Sequence, residues 1–202
     1  YDANQIYYYQ YSNRGENFDA ASAPALSLYN EYFGGGMNTI VFQEMREARG
    51  LAYSAWANLY SPSYKADNYR YIAFIATQND KMRQAIEAFD DIINNMPESE
   101  AAFTIAKEAL IGRLRTQRTT GMGVLSQYVV CRRLGISEPL DKQVYEKVQG
   151  MTMEDVMAAQ QEWVKGRNYT YAILGDIQDL DTDFLQTLGP VKTVSLEEIF
   201  GY

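Results

Sequence analysis

Apolar and polar positions change period several times along the chain. Gln5 to Tyr11 reads as a strand, because its run of tyrosines suits a pleated, half-buried surface. Asn13-Arg14-Gly15 is expected to end it. Leu26, Tyr29, Tyr32 and Phe33 then fall at helical spacing, predicting a helix from about Ala20 to Phe33 with Pro24 near its start. Gly34-Gly35-Gly36 stops it, and a second helix follows from about Asn38 to Ala48, with Gly50 suited to the left-handed residue past its end. Leu51 to Tyr60 alternates as a strand, with Leu51, Tyr53, Ala55, Ala57 and Leu59 on one face. After the turn Ser61-Pro62-Ser63, Asn68 to Thr77 alternates again, so the two strands are expected to pair as an antiparallel hairpin.

Beyond Asn79-Asp80 the period returns to that of a helix. Met82, Ile86, Phe89, Ile93 and Met96 form one stripe, ended by Pro97. Ser99 is placed to cap the next helix, which carries Phe103, Ala106, Leu110 and Leu114 towards Arg118. Val124, Leu125, Tyr128 and Val129 mark a third helix closed by Gly135, and a short fourth runs from Leu140 to Val148. Thr152 and Asp155 resemble a capping box opening a fifth, with Val156, Ala159 and Trp163. Tyr169 to Leu174 is the last strand, and patterning is weak from Asp179. The order predicts an α+β fold: an expanded βαββαβ unit whose antiparallel four-stranded sheet carries its helices on one face. Residues 1–176 read as one such domain and residues 177–202 as a tail packed on it, with no internal repeat.

Composition narrows the chemistry. The chain has 202 residues, enough for a sizeable core, with 47% apolar and 22% charged residues. No apolar run is long enough for a membrane span, and no signal-peptide pattern is found. The first residue is Tyr rather than Met, which reads as a processed product or an excised piece. A net charge of −8 argues against nucleic acid and anionic membranes as partners. There is no histidine, so the commonest general base, the usual zinc ligand and every Ser-His or Cys-His dyad are excluded. A single cysteine, Cys131, excludes disulfides within the chain and thiolate clusters. The expectation is that this chain performs no catalysis alone.

Two motifs remain. Gly34, Gly35 and Gly36 do not follow a strand and lack a Gly-Lys-Ser/Thr ending, so they read as a flexible corner, or a close backbone approach, rather than a phosphate loop. Phe42 to Tyr53 reads either as a solvated helix face with Glu-Arg pairs or as a site in which Arg46 and Tyr53 point into one cleft. A guanidinium and a phenol there would bind a peptide carbonyl or carboxylate.

The stretch Leu28 to Ser54, including Gly34-Gly35-Gly36 and Glu44-Met45-Arg46-Glu47-Ala48-Arg49-Gly50-Leu51-Ala52-Tyr53, resembles a signature of the pitrilysin/insulinase-type zinc peptidases, family M16. Thr152 to Val156 and the final Ile173-Leu174-Gly175-Asp176 are similar too, extending the likeness over roughly residues 5–176. The resemblance implies repeated α+β domains closing around an unfolded peptide, with zinc held by His-x-x-Glu-His in another domain. Without histidine, this chain resembles the C-terminal, non-catalytic domain. The resemblance then implies no cofactor in this chain, with zinc in a complementary N-terminal domain on the same or a separate chain. Arg46 and Tyr53 are implied to bind the peptide substrate and assist charge development at its carbonyl. The alternatives are an inactive assembly or scaffold partner of the same family, and a ferredoxin-like ligand-binding module. The compartment is open between bacterial periplasm and cytoplasm.

Other groups receive plainer readings. Glu44, Glu47, Asp90, Asp91, Glu154 and Asp155 read as solvated helix faces. Arg113, Arg115, Arg118, Arg132 and Arg133 read as surface ion pairs or a docking patch, and Cys131 as a small core residue. Gln5 to Tyr11 is taken as an edge strand, open to pairing with extended peptide.

Overall fold

The computed structural model describes residues 5–201; Tyr1 and Tyr202, which the sequence assigns to the tyrosine-rich start and the tail, lie outside them. Strands β1 (Gln5–Asn17), β2 (Ser54–Tyr60), β3 (Asn68–Gln78) and β4 (Thr170–Leu174) form one antiparallel sheet in the order β2-β3-β1-β4. The first crossover holds α1 (Ala23–Phe33) and α2 (Ile40–Phe42), which continues as a π-helical turn over Gln43–Ala48. The second holds α3 (Met82–Asn94), α4 (Glu100–Thr116), α5 (Met122–Leu134), α6 (Leu140–Val148) and α7 (Met153–Trp163). Two short helices, α8 (Thr182–Leu188) and α9 (Leu196–Phe200), follow the sheet. The α+β architecture is thus the one the pattern predicts.

Alternation decides which sheet face is covered. Ile6 and Tyr8 of β1, Ala55 and Ala57 of β2, and Tyr71, Ala73 and Ile75 of β3 are buried against the helices. Met82, Ile86, Phe89 and Ile93 bury the predicted stripe of α3, while α7 adds Val156, Ala159 and Trp163. Gln160 ties three helices together inside this core. It accepts from Tyr29 Oη at 2.5 Å and donates through Nε2 to the Ile93 carbonyl. Of the tail, Phe184 and Leu185 are buried, whereas α9 contributes no buried residue. Both predicted caps form: Ser99 Oγ accepts from Ala102 N–H at 3.2 Å, and the Asp155 carboxylate accepts from Thr152 N–H at 2.8 Å.

Three expectations are corrected. The tyrosine-rich strand β1 is central, paired with β3 on one side and β4 on the other, so its edges are not open to a peptide strand. Asn13-Arg14-Gly15 does not end β1 but lies in a bulge between Asn13 and Asn17, where Gly15 takes φ +78° and donates its N–H to Asn13 Oδ1 at 2.8 Å. The strand predicted from Leu51 begins only at Ser54, because the Leu51 and Ala52 N–H groups both donate to the Met45 carbonyl. Tyr53 therefore leaves the alternation that buries Ala55 and Ala57 and is 71% exposed. The helix marked by Val124, Leu125, Tyr128 and Val129 forms as α5 and ends at Gly135; those four residues are exposed, and the helix buries Cys131 and Leu134.

The exposed edge of β2 is capped by the end of α1. The Asn30 side-chain amide donates to the Leu59 carbonyl and accepts from the Leu59 N–H, both at 2.8 Å, in the manner of a neighbouring strand. One pair along, Ala57 N–H donates to the Gly34 carbonyl at 2.9 Å.

Candidate functional site

The π-helical turn sets the site. Gly50 N–H bonds back to the Arg46 carbonyl at 3.2 Å and Leu51 N–H to the Met45 carbonyl at 2.9 Å, so the helix end is wound wide and then released. Gly50 at φ +58° turns the chain toward the sheet, a conformation that a side chain would strain. Tyr53 N–H then donates to the Ala76 carbonyl at 2.8 Å, fastening the segment to β3 just before β2 begins. Thr77 Oγ1 holds the Leu51 carbonyl at 2.5 Å from the same strand.

This routing brings Arg46 and Tyr53 together. The Arg46 guanidinium carbon lies 5.6 Å from the Tyr53 ring centre and 5.1 Å from that of Phe42, within cation–π range of both. Its side chain is 45% exposed, and its ion pair with Glu47 is loose at 3.7 Å. Together with Gln5, Gly50, Leu51, Ala52, Thr77, Gln78 and Lys81, the pair lines an open cavity of about 300 Å³ at the end of the sheet. Lys81 Nζ donates to the Gly50 carbonyl at 3.2 Å, placing a second cation on the rim. Cationic donors, a phenol and side-chain amides converge on one space, an arrangement able to grip carbonyl and carboxylate oxygens. The solvated reading of this run also holds in part, since Arg49 pairs with Glu44 at 3.4 Å and with Asp91 at 3.6 Å.

Gly34 to Gly36 lie away from this cavity. Gly34 closely approaches the backbone of β2: a Cβ built there would stand 1.6 Å from the Ala57 carbonyl oxygen. Sequence reasoning missed Lys81, Gln5 and Gln78. Hairpin register was the available signal, because pairing Ser54 with Ala76 brings the residues after β3 beside those before β2. Among the arginines, Arg113 pairs with Glu31 at 2.7 Å and Arg133 stacks 5.0 Å from the Tyr64 ring centre, both at the surface.

Asp90 departs from its solvated reading. It lies half-buried beneath the sheet with Gln10 Nε2 3.5 Å from its Oδ1, and burial pushes its carboxyl up to about 6, partly offset by that hydrogen bond. Desolvation likewise raises the phenols of Tyr8 and Tyr71 beside it. For zinc the residues do not fit: the sequence holds no histidine, and among the described residues no group of three or more Asp, Glu or Cys is placed to hold an ion.

Comparison with known proteins extends this picture. Residues 4–110 match the family model described as the peptidase M16 inactive domain. An uncharacterised zinc protease of Mycobacterium tuberculosis is 28% identical over 160 residues, covering 75% of this chain and 34% of the relative. The chain thus spans about a third of the length of the relatives it matches. Among solved structures, a peptidase M16 inactive domain from Pseudomonas fluorescens superposes with TM-score 0.67 at 19% identity, over 86% of this chain and 41% of that one. An inactive peptidase domain from Bordetella parapertussis gives TM-score 0.67 at 13% identity, over 87% and 94%.

Proposed function

Since this chain belongs to the M16 peptidase family as an inactive domain, we propose that it is the substrate-binding, chamber-closing domain of a zinc endopeptidase. Zinc and hydrolysis then belong to a complementary domain, within the two-thirds of the relatives' length that this chain does not span. The observation that carries the reading is the meeting of Arg46 and Tyr53 over one open cavity, both with polar ends accessible.

In this reading a peptide carbonyl enters the cavity and accepts from the guanidinium and the phenol. Charge growing on that oxygen during attack strengthens both bonds, so the pair favours the transition state more than the bound substrate. The cation–π contact with Tyr53 and Phe42 fixes the direction of the guanidinium before substrate arrives.

The test is kinetic, in the enzyme assembled with its zinc-bearing domain. Tyr53→Phe is expected to lower kcat by roughly 10²-fold with little change in KM, the scale of losing one oxyanion donor. Arg46→Ala is expected to weaken peptide binding as well. Unchanged kcat in Tyr53→Phe would show that the pair is structural and favour a scaffold role.

A further inference from the structure

The face of the sheet turned away from the helices is aromatic and nearly free of charge. Register stacks its outward side chains in rows across the strands. The central row runs Trp56, Phe74, Tyr9 and Ala172. The next, towards the Arg46–Tyr53 cavity, runs Ser54, Ala76, Tyr7 and Leu174. On the other side of the central row, Ile72 and Tyr11 continue the apolar surface. Phe74 is the hub: its ring centre lies 4.8 Å from that of Tyr9 and 5.8 Å from those of Tyr7 and Trp56. Tyr7 and Tyr9 remain 40% and 42% exposed, and Leu174 68%. Among the described residues, the paired outward positions carry one ionic side chain, Arg70, in the further row with Asn13 and Tyr60, in a chain that holds 18 basic and 26 acidic residues.

We infer that this face is a binding wall for extended peptides carrying aromatic or aliphatic side chains at alternate positions. Three observations favour that occupant. First, the wall is continuous with the cavity: Gln5 and Gln78 line the cavity and are paired with each other in the row beyond Tyr7 and Ala76. A peptide held by its backbone at Arg46 and Tyr53 therefore leads onto the rings. Second, outward residues along one strand repeat every ~6.8 Å, and so do same-side residues of an extended peptide, so successive apolar side chains meet successive rows. Third, the near absence of charge offers nothing to pair with ions and much to gain from apolar burial. A second copy suits the face less well. Each copy carries a net charge of −8, and among the described residues the paired outward positions provide one cation, Arg70, to offset the repulsion.

This inference rests on the proposed role of Arg46 and Tyr53 and names the class of peptide they would present. The test uses the isolated chain and two fluorescently labelled peptides of about ten residues, roughly 33 Å when extended. One has Phe or Leu at alternate positions and the other Ser there; anisotropy gives their affinities. The apolar peptide is expected to bind about tenfold tighter, the scale of one or two aromatic contacts. Tyr7→Ser/Tyr9→Ser is expected to bring that ratio close to one while leaving the Ser peptide's affinity unchanged. Arg46→Ala is expected to weaken both peptides by the same factor and preserve the ratio. Trp56 emission provides a second measurement that needs no substitution: it should shift to the blue with the apolar peptide only, while buried Trp163 stays silent.

A wild-type ratio near one, with no Trp56 shift, overturns the wall even where Arg46→Ala still weakens binding. A tenfold ratio indifferent to Arg46→Ala retains the wall and overturns the role given to the Arg46–Tyr53 pair. A concentration-dependent dimer on sedimentation, dissolved by Tyr7→Ser/Tyr9→Ser, would identify the occupant as a second copy and overturn the peptide assignment.

Discussion

At the scale of single residues, Gly34 is the clearest constraint. Its backbone lies against β2 so closely that a methyl group would overlap the Ala57 carbonyl, and strand backbone cannot swing aside as a flexible side chain can. Gly34→Ala is therefore expected to cost about 3 kcal/mol or more, read as a fall in the urea midpoint. Gly35→Ala, whose Cβ would meet Asn58 Oδ1 at 3.4 Å, is expected to cost much less. Asp90 gives a pH dependence. Its folded value near 6 stands above the ordinary 3.8, so the folded protein binds this proton more tightly than the unfolded chain. Stability from this group is then full below about pH 4 and is lost as pH rises through about 6. Asp90→Asn should raise stability at about pH 8 by roughly 1–2 kcal/mol, after discounting for partial exposure, with the gain fading near pH 4 in parallel denaturation curves.

At the scale of elements, one buried amide holds the helical layer in register. Gln160 lies on α7, while its partners Tyr29 and Ile93 lie on α1 and α3, and all three helices contribute to one core. Replacing it by an apolar residue of similar size leaves a phenol and a carbonyl unpaired in the interior. Gln160→Met is expected to cost about 2–4 kcal/mol in equilibrium unfolding, and Tyr29→Phe, which removes only one of the two bonds, less. The π-helical turn works at the same scale. It lets Met45 stay buried while its carbonyl accepts from both Leu51 and Ala52, and this delays the start of β2 until Tyr53 has reached the surface.

At the scale of the molecule, the helices cover one face of the sheet and leave the aromatic face exposed. In the proposed reading the cavity at its end and the rings along it receive peptide, while the residues present do not suit zinc. The isolated chain is expected to cleave no peptide and to carry less than stoichiometric zinc by elemental analysis. Chelator-sensitive cleavage by this chain alone would contradict the assignment of chemistry to another domain.

Local pattern determined much of this. Alternation in Asn68 to Thr77, helical spacing from Met82 to Ile93 and the Thr152–Asp155 cap specify elements through neighbours in sequence, and those elements form as read. The absence of histidine excluded a zinc site of the family's kind from composition alone. Long-range pairing decided the rest. Whether Gln5 to Tyr11 lies at an edge or in the centre depends on where β4 docks, about 160 residues later, and no local pattern carries that information. The same docking, with the β1–β3 register, builds the aromatic face from strands distant in sequence. Alternation carried back to Leu51 puts Tyr53 on the face of Ala55 and Ala57; the bonds from Leu51 and Ala52 to Met45 break that phase, and Tyr53 is exposed where Ala55 and Ala57 are buried. Asp90 resembles any helix-surface acid until the sheet above it takes away its water.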